Sequence, residues 1–185
     1  MNLYYVSIDL PTGPAFAAAT KDGLCKLDLN PPSFGEFIEE MEAYFGMKPV
    51  EDGRLFQTLS RELKSYFAGE PVSFTQKLDL RGTDFQKTVW RELLKIPYGN
   101  VRSYKWLAAQ AGNPNAARAV GNALNGNKIP VIVPCHRIIE SSGGIGGFGG
   151  GIELKKRLLQ LEGVLPACHP ERSEESRRFR ISLPA

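Results

Sequence analysis

The sequence predicts an α+β chain in which a small sheet with helices, residues 1–80, precedes a mainly helical stretch, residues 81–165. Three observations support this. Leu3 to Leu10 alternates as a strand, and Asp22-Gly23 between two β-like runs signals a hairpin. From Thr83 onward that alternation gives way to helical spacing. Charge divides at the same place: residues 1–78 hold 7 Lys/Arg against 11 Asp/Glu, whereas residues 79–165 hold 12 against 6. A basic helical half joined to an acidic half is the distribution expected of a polyanion-binding face.

The elements follow in order. After the strands, Ser33 with Glu36 three residues on forms a capping box for a helix through Phe45. Leu55, Leu59, Leu63 and Phe67 recur at helical spacing, and Gly69 ends that helix. Val72 to Leu80 returns to strand. In the second half, Phe85, Val89, Leu93 and Ile96 line a helix that stops at Pro97-Tyr98-Gly99. Ser103 caps a short helix over Tyr104–Ala111, Gly112-Asn113-Pro114 breaks it, and a further helix starts near Asn115. Two short helices across a glycine turn suggest a helix-turn-helix. The second is built almost wholly of small residues, among them Ala117, Ala119 and Gly121, so Arg118 projects from low relief.

With 185 residues, 42% of them hydrophobic, the chain can bury a core without cross-links. Its three cysteines, Cys25, Cys135 and Cys168, are an odd number at wide spacing, and the start MNLYYVSIDL lacks the flanks of a secretion signal. A reducing, cytoplasmic setting is expected. No apolar run approaches the roughly 20 residues that span a bilayer, so no membrane role is expected. A zinc site in the first half is disfavoured, because no histidine precedes His136.

The chemistry concentrates at Pro134-Cys135-His136-Arg137, which closes the apolar run Ile129–Val133, expected as an extended strand. A nucleophilic cysteine needs its thiolate favoured and its approach open. The neighbouring imidazole and guanidinium answer the first need. The glycine-rich loop Ser141–Gly151, interrupted by Ile145 and Phe148, answers the second. A last helix, Glu153–Leu161, turns Leu154, Leu158 and Leu161 inward, ends at Glu162 and is capped by Gly163. Residues 166–185 read as a disordered tail whose Cys168-His169 pair lacks any such scaffold.

Taken together, FQKTVWRELLKIPYGNVRSY, AARAVGNALNGN, IPVIVPCHRII and the glycine loop with its terminal LEG resemble the O6-alkylguanine-DNA alkyltransferase family. The resemblance covers residues 83–163 with its motifs and the first 80 residues only in size and coarse pattern. It implies a ribonuclease-H-like α/β domain followed by a helical domain with a winged-helix-like helix-turn-helix. It implies that Cys135 accepts an alkyl group from O6-alkylguanine in double-stranded DNA, once and irreversibly, with O4-methylthymine left open. His136 and Glu162 would activate the thiol through a water, Asn127 would brace it, and Tyr104 and Arg118 would manage base flipping. Ala117, Ala119 and Gly121 would lie against DNA, while Tyr104, Val133, Pro134, Phe148 and Gly149 would form the substrate pocket. No cofactor or metal is implied, and a monomer is expected, with cooperation between copies on DNA left open.

One departure stands out. Phe148 occupies a position where the family usually has tyrosine, so a hydroxyl that could donate toward the departing guanine is missing. Two other readings remain: a lesion-recognition protein that flips alkylated bases without transfer, and a cysteine hydrolase built on Cys135 and His136. Retention of the cysteine weighs against the first, and the DNA-binding helices weigh against the second.

Overall fold

The computed structural model describes residues 2–29, 31, 33–166 and 181. These divide into two units, Met1–Arg81 with Lys128–Pro130, and Gly82–Asn127 with Val131–Ala185. In the first unit, β1 (Leu3–Leu10), β2 (Gly13–Thr20) and β3 (Gly23–Asp28) form an antiparallel meander, and β4 (Val50–Glu51) adds to β1 in parallel. The sheet order is β3-β2-β1-β4. α1 (Phe34–Phe45) begins where the Ser33 hydroxyl accepts from the Glu36 N–H, and it buries Phe37 and Met41 against Leu3, Phe16, Ala18 and Cys25.

Three expectations need correction in this unit. The hairpin turn is Lys21-Asp22, because Thr20 pairs with Gly23. Gly23 instead serves a close approach: its φ is +139°, and a Cβ there would stand 2.3 Å from the Lys77 carbonyl oxygen. α2 (Gln57–Phe67) buries Leu59, Leu63 and Tyr66, while Leu55 is 59% exposed, so the apolar stripe is rotated from the expected one. Val72–Leu80 forms no strand. It meets the sheet at a bridge between Leu24 and Leu78, where Lys77 and Asp79 exchange backbone hydrogen bonds with Leu24, and the Asp79 carboxylate accepts from the Thr20 hydroxyl at 2.7 Å.

The second unit is helical. α3 (Asp84–Leu93) starts in a complete capping box between Thr83 and Gln86, and buries Val89, Trp90 and Leu93. The Trp90 indole N–H donates to the Ala123 carbonyl at 2.8 Å, which locks α3 to α5 (Ala117–Asn125). α4 (Tyr104–Gln110) is capped by Ser103, whose hydroxyl accepts from the Trp106 N–H. β5 (Arg102–Ser103) pairs in parallel with β6 (Ile138–Ile139), and α6 (Ile152–Leu161) closes the unit.

One further expectation fails here. The run Ile129–Val133 is irregular rather than extended, with Val131 at φ 71°, a conformation that a β-branched residue rarely adopts. Burial explains its apolar character, since Ile129, Val131, Ile132 and Val133 are all in the interior. Of the expected tail, Pro166 and Ile181 are described and the rest lies outside the described residues. Ile181 is packed: it lies with Val101, Ile139, Leu159 and Leu165, and its N–H donates to the Gly143 carbonyl at 3.1 Å.

Candidate functional site

The turn that presents Cys135 begins at Pro134, whose φ of −82° and ψ of 64° close an inverse γ-turn between the Val133 carbonyl and the Cys135 N–H at 2.8 Å. A single 3-10 turn, Cys135–Arg137, follows and runs into β6. Tight curvature, not strand alternation, therefore sets where Cys135 and His136 point. The Asn127 amide, two residues beyond the end of α5, donates to the Val133 carbonyl at 2.8 Å and to the Cys135 sulfur at 3.1 Å. One side chain thus fixes both the turn and the thiol to the helix-turn-helix.

Behind the cysteine lies a buried charge cluster. Glu162 accepts from His136 Nε2 at 2.8 Å, from Arg137 Nε at 2.9 Å, from Arg137 Nη2 at 2.8 Å and from the Gly99 N–H at 3.1 Å. Arg137 also donates to the Ile96 carbonyl. Burial alone would raise the Glu162 pKa, but the hydrogen bonds and charges of His136 and Arg137 outweigh it and bring it to about 2. A carboxylate only accepts, so Nε2 carries the imidazole proton. Burial pushes the His136 pKa down against the pull of Glu162, leaving a neutral ring whose basic nitrogen is Nδ1.

Burial also pushes the Cys135 thiol up, despite the lowering by Asn127, Lys155 and the backbone N–H groups of Cys135 and His136. This corrects the expectation of a favoured thiolate. Burial thus disfavours the charged form of both Cys135 and His136. Arg137, expected to favour the thiolate directly, is instead committed to Glu162.

In front of the thiol is a cavity of about 290 Å³, lined by Tyr104, Arg118, Gly121, Asn122, Leu124, Asn125, Cys135, Gly147, Phe148 and Gly149. That is the lower end of the range for sites that take a small molecule. The Tyr104 hydroxyl donates to the Gly147 carbonyl at 3.3 Å, which joins α4 to the glycine loop. Gly146 permits the contact, since it has φ +71° and a Cβ there would lie 3.0 Å from the tyrosine ring. Arg118 is exposed on the first turn of α5 at the cavity rim, with Ala117 half-buried and Ala119 exposed beside it. Val133 and Pro134 do not line the cavity; both are buried and serve the turn beneath Cys135.

Lys155 escaped the sequence reading. It is wholly buried on α6, with Nζ donating to the carbonyls of Ile138 at 2.5 Å and Gly147 at 3.2 Å. The signal was present, because Lys155, Leu158, Leu159 and Glu162 recur at i, i+3, i+4 and i+7 and so share the inner face. Leu154 and Leu161, expected on that face, are only half-buried. Among the described residues no three His, Cys, Asp or Glu side chains group for a metal ion, and no helix is long and apolar enough to cross a membrane.

A helix-turn-helix unit whose small-residue helix borders a cavity containing a braced, buried thiol defines a class: a DNA-facing protein that brings a cysteine to a small group. Comparison makes this particular. Residues 3–80 match the ribonuclease-like domain of 6-O-methylguanine DNA methyltransferase, and residues 84–164 match its DNA-binding domain. The chain is 42% identical over 161 residues to a methylated-DNA–protein-cysteine methyltransferase of Methanosarcina acetivorans, covering 87% of this chain and 99% of the relative. To its Mycobacterium tuberculosis counterpart it is 44% identical over 160 residues, covering 86% and 92%. The crystal structure of Mycobacterium tuberculosis OGT in complex with DNA matches with a TM-score of 0.73 at 45% identity, over 86% of this chain and 92% of that one. The chain belongs to the O6-methylguanine DNA methyltransferase family, with its α+β fold of a ribonuclease-like sheet unit and a helical DNA-binding unit.

Proposed function

We propose that this protein repairs DNA by moving a methyl or small alkyl group from guanine O6 to Cys135, in a single turnover. The observation that carries this reading is the Cys135 sulfur on the wall of a cavity rimmed by Arg118 and Tyr104, with a neutral His136 held behind it by an ionised Glu162. Arg118 enters the stack vacated by the lesion, and the base turns into the cavity at a cost of a few kcal/mol, least for a poorly paired base. The sulfur lone pair attacks the alkyl carbon as the carbon–O6 bond breaks, its electrons passing to the guanine. The thiol proton passes through a water to His136 Nδ1, since Nε2 is committed to Glu162. The departing guanine takes a proton from solvent while the Tyr104 hydroxyl donates a hydrogen bond to it, and His136 returns its extra proton to solvent, so the protons balance. The resulting thioether has no easy leaving group, so the protein stays alkylated. Residues 81–165 carry this chemistry as a monomer, and no cofactor enters it.

Incubation with a duplex carrying O6-methylguanine should add one methyl group to the peptide containing Cys135, read by mass spectrometry. An unchanged mass, with the lesion intact, would reject transfer. The Cys135→Ser variant should bind the same duplex without gaining mass.

A further inference from the structure

The glycine loop that walls the cavity has few side chains of its own to hold it. Of its large residues, Phe148 lines the cavity and Ile145 is half-buried against the cluster Val101, Ile139, Leu159 and Leu165. Glycine gives up more conformational freedom on ordering than any other residue, so a loop with seven of them needs outside contacts to keep one shape. Tyr104 supplies one at Gly147. At the root of the loop a tight turn closes between Glu140 and Gly144, and Ile181 supplies another contact there. Its N–H donates to the Gly143 carbonyl at 3.1 Å, and its side chain, 7% exposed, completes the same apolar cluster. Ile181 lies beyond residue 164, where the match to the DNA-binding domain ends. The cluster adjoins every element of the site: Val101 leads into β5 and so to Tyr104, Ile139 ends the strand that follows the Cys135 turn, and Leu159 lies on α6.

We propose that Ile181 is a positioning residue for the transfer reaction: seated in that cluster and bonded to Gly143, it sets where Gly147, Phe148 and Gly149 stand in front of the Cys135 sulfur. This rests on the transfer reading above. Ile181 does not line the cavity, so it acts through the loop. With its side chain shortened, the cluster against which Ile145 packs loses a member, and the packing that keeps the Ile181 N–H on the Gly143 carbonyl goes with it. Attack on the alkyl carbon requires sulfur, carbon and O6 to stay in line, and a misplacement of about 1 Å caused by a distant change can cost about 100-fold in rate. Part of that loss, about 10-fold, is expected where the loop is loosened at its root yet still held at Gly147.

The test is Ile181→Ala, followed by single-turnover transfer from an O6-methylguanine duplex over a range of duplex concentrations. The limiting rate should fall about 10-fold, while the half-saturating concentration stays close to the wild-type value because the helix-turn-helix is unaltered. Ile181→Val, which restores most of the side chain, should recover most of the rate. A variant at the wild-type rate, or one slowed only through weaker duplex binding, would overturn the proposal. The loop itself is read by the ¹⁹F resonance of Phe148 in protein carrying 4-fluorophenylalanine, assigned by its loss in Phe148→Leu. That resonance should shift or broaden in folded Ile181→Ala; an unmoved one would mark a purely stabilising role and overturn the proposal. Since this variant could misfold, a further measurement uses the wild type: the Ile181 N–H should exchange with deuterium at least about 100-fold more slowly than in an unstructured peptide. Exchange at the peptide rate would overturn the proposal. Should the wild type gain no methyl group at all, the transfer reading falls, while the fluorine and exchange measurements still decide whether Ile181 holds the loop.

Discussion

Replacing Glu162 by glutamine removes one charge and one acceptor from a site where four N–H donors converge: Gly99 N, His136 Nε2, Arg137 Nε and Arg137 Nη2. Whichever way the amide is turned, its NH₂ group faces donors that an oxygen now serves. Arg137, 7% exposed, keeps its charge without an anion. Breaking a buried pair in this way costs about 3–5 kcal/mol. Linkage supplies a second figure: a carboxyl with a folded pKa of about 2 against 4.5 as reference contributes roughly 3 kcal/mol at neutral pH. The sign follows from the depressed folded pKa, so this stability is present above about pH 4.5 and is lost as pH falls toward about 2. Urea unfolding of Glu162→Gln should therefore show a loss of about 3 kcal/mol or more at pH 7, shrinking as the comparison is repeated at pH 3. A loss below about 1 kcal/mol at pH 7, typical of an exposed pair, would refute the view that Glu162 is the anion this cluster is built around. Alkyl transfer should fall in the same variant, because His136 loses the acceptor that fixes its tautomer.

Other outcomes follow from the same geometry. Arg118→Ala should slow repair in duplex by about 10-fold or more, given a flipping cost of a few kcal/mol, yet leave reaction with a free O6-alkylated base nearly unchanged; equal losses in both assays would contradict a flipping role. Gly146→Ala should cost about 1 kcal/mol through its left-handed backbone and should also slow transfer, because its Cβ would press on the Tyr104 ring; a variant that melts lower but transfers at the wild-type rate would show that the ring's placement is unimportant. Lys155 titrates near 8 when folded and near 10.5 in the reference state, so the unfolded chain binds the extra proton between those values. Stability from this group should thus rise by a few kcal/mol as pH climbs from 8 to 10.5, and the rise, followed by urea unfolding, should be absent from Lys155→Met.

Short-range signals in the sequence are legible wherever their causes are local. Ser33 and Ser103 each cap the helix their spacing announces, because a cap is a hydrogen bond between residues three apart. The expectations that failed depended on distant partners. Ile129–Val133 reads as a strand because burial makes both strands and packed irregular segments apolar, and periodicity does not distinguish the two. Helical spacing places Leu55 with the inner residues, whereas the packing of Phe56, Leu59, Leu63 and Tyr66 settles which side is covered.

The order of motifs from Thr83 to Gly163 determined the family and named Cys135, His136, Asn127, Tyr104, Arg118 and Glu162 as residues to watch, since residue identity is written in the chain. The protonation states belong to the tertiary structure. A thiol raised by burial, an imidazole kept neutral, a carboxyl held near 2 and a buried lysine near 8 all arise from groups far apart in sequence meeting where water is excluded. Desolvation and charge proximity depend on three-dimensional placement, which no stretch of sequence displays.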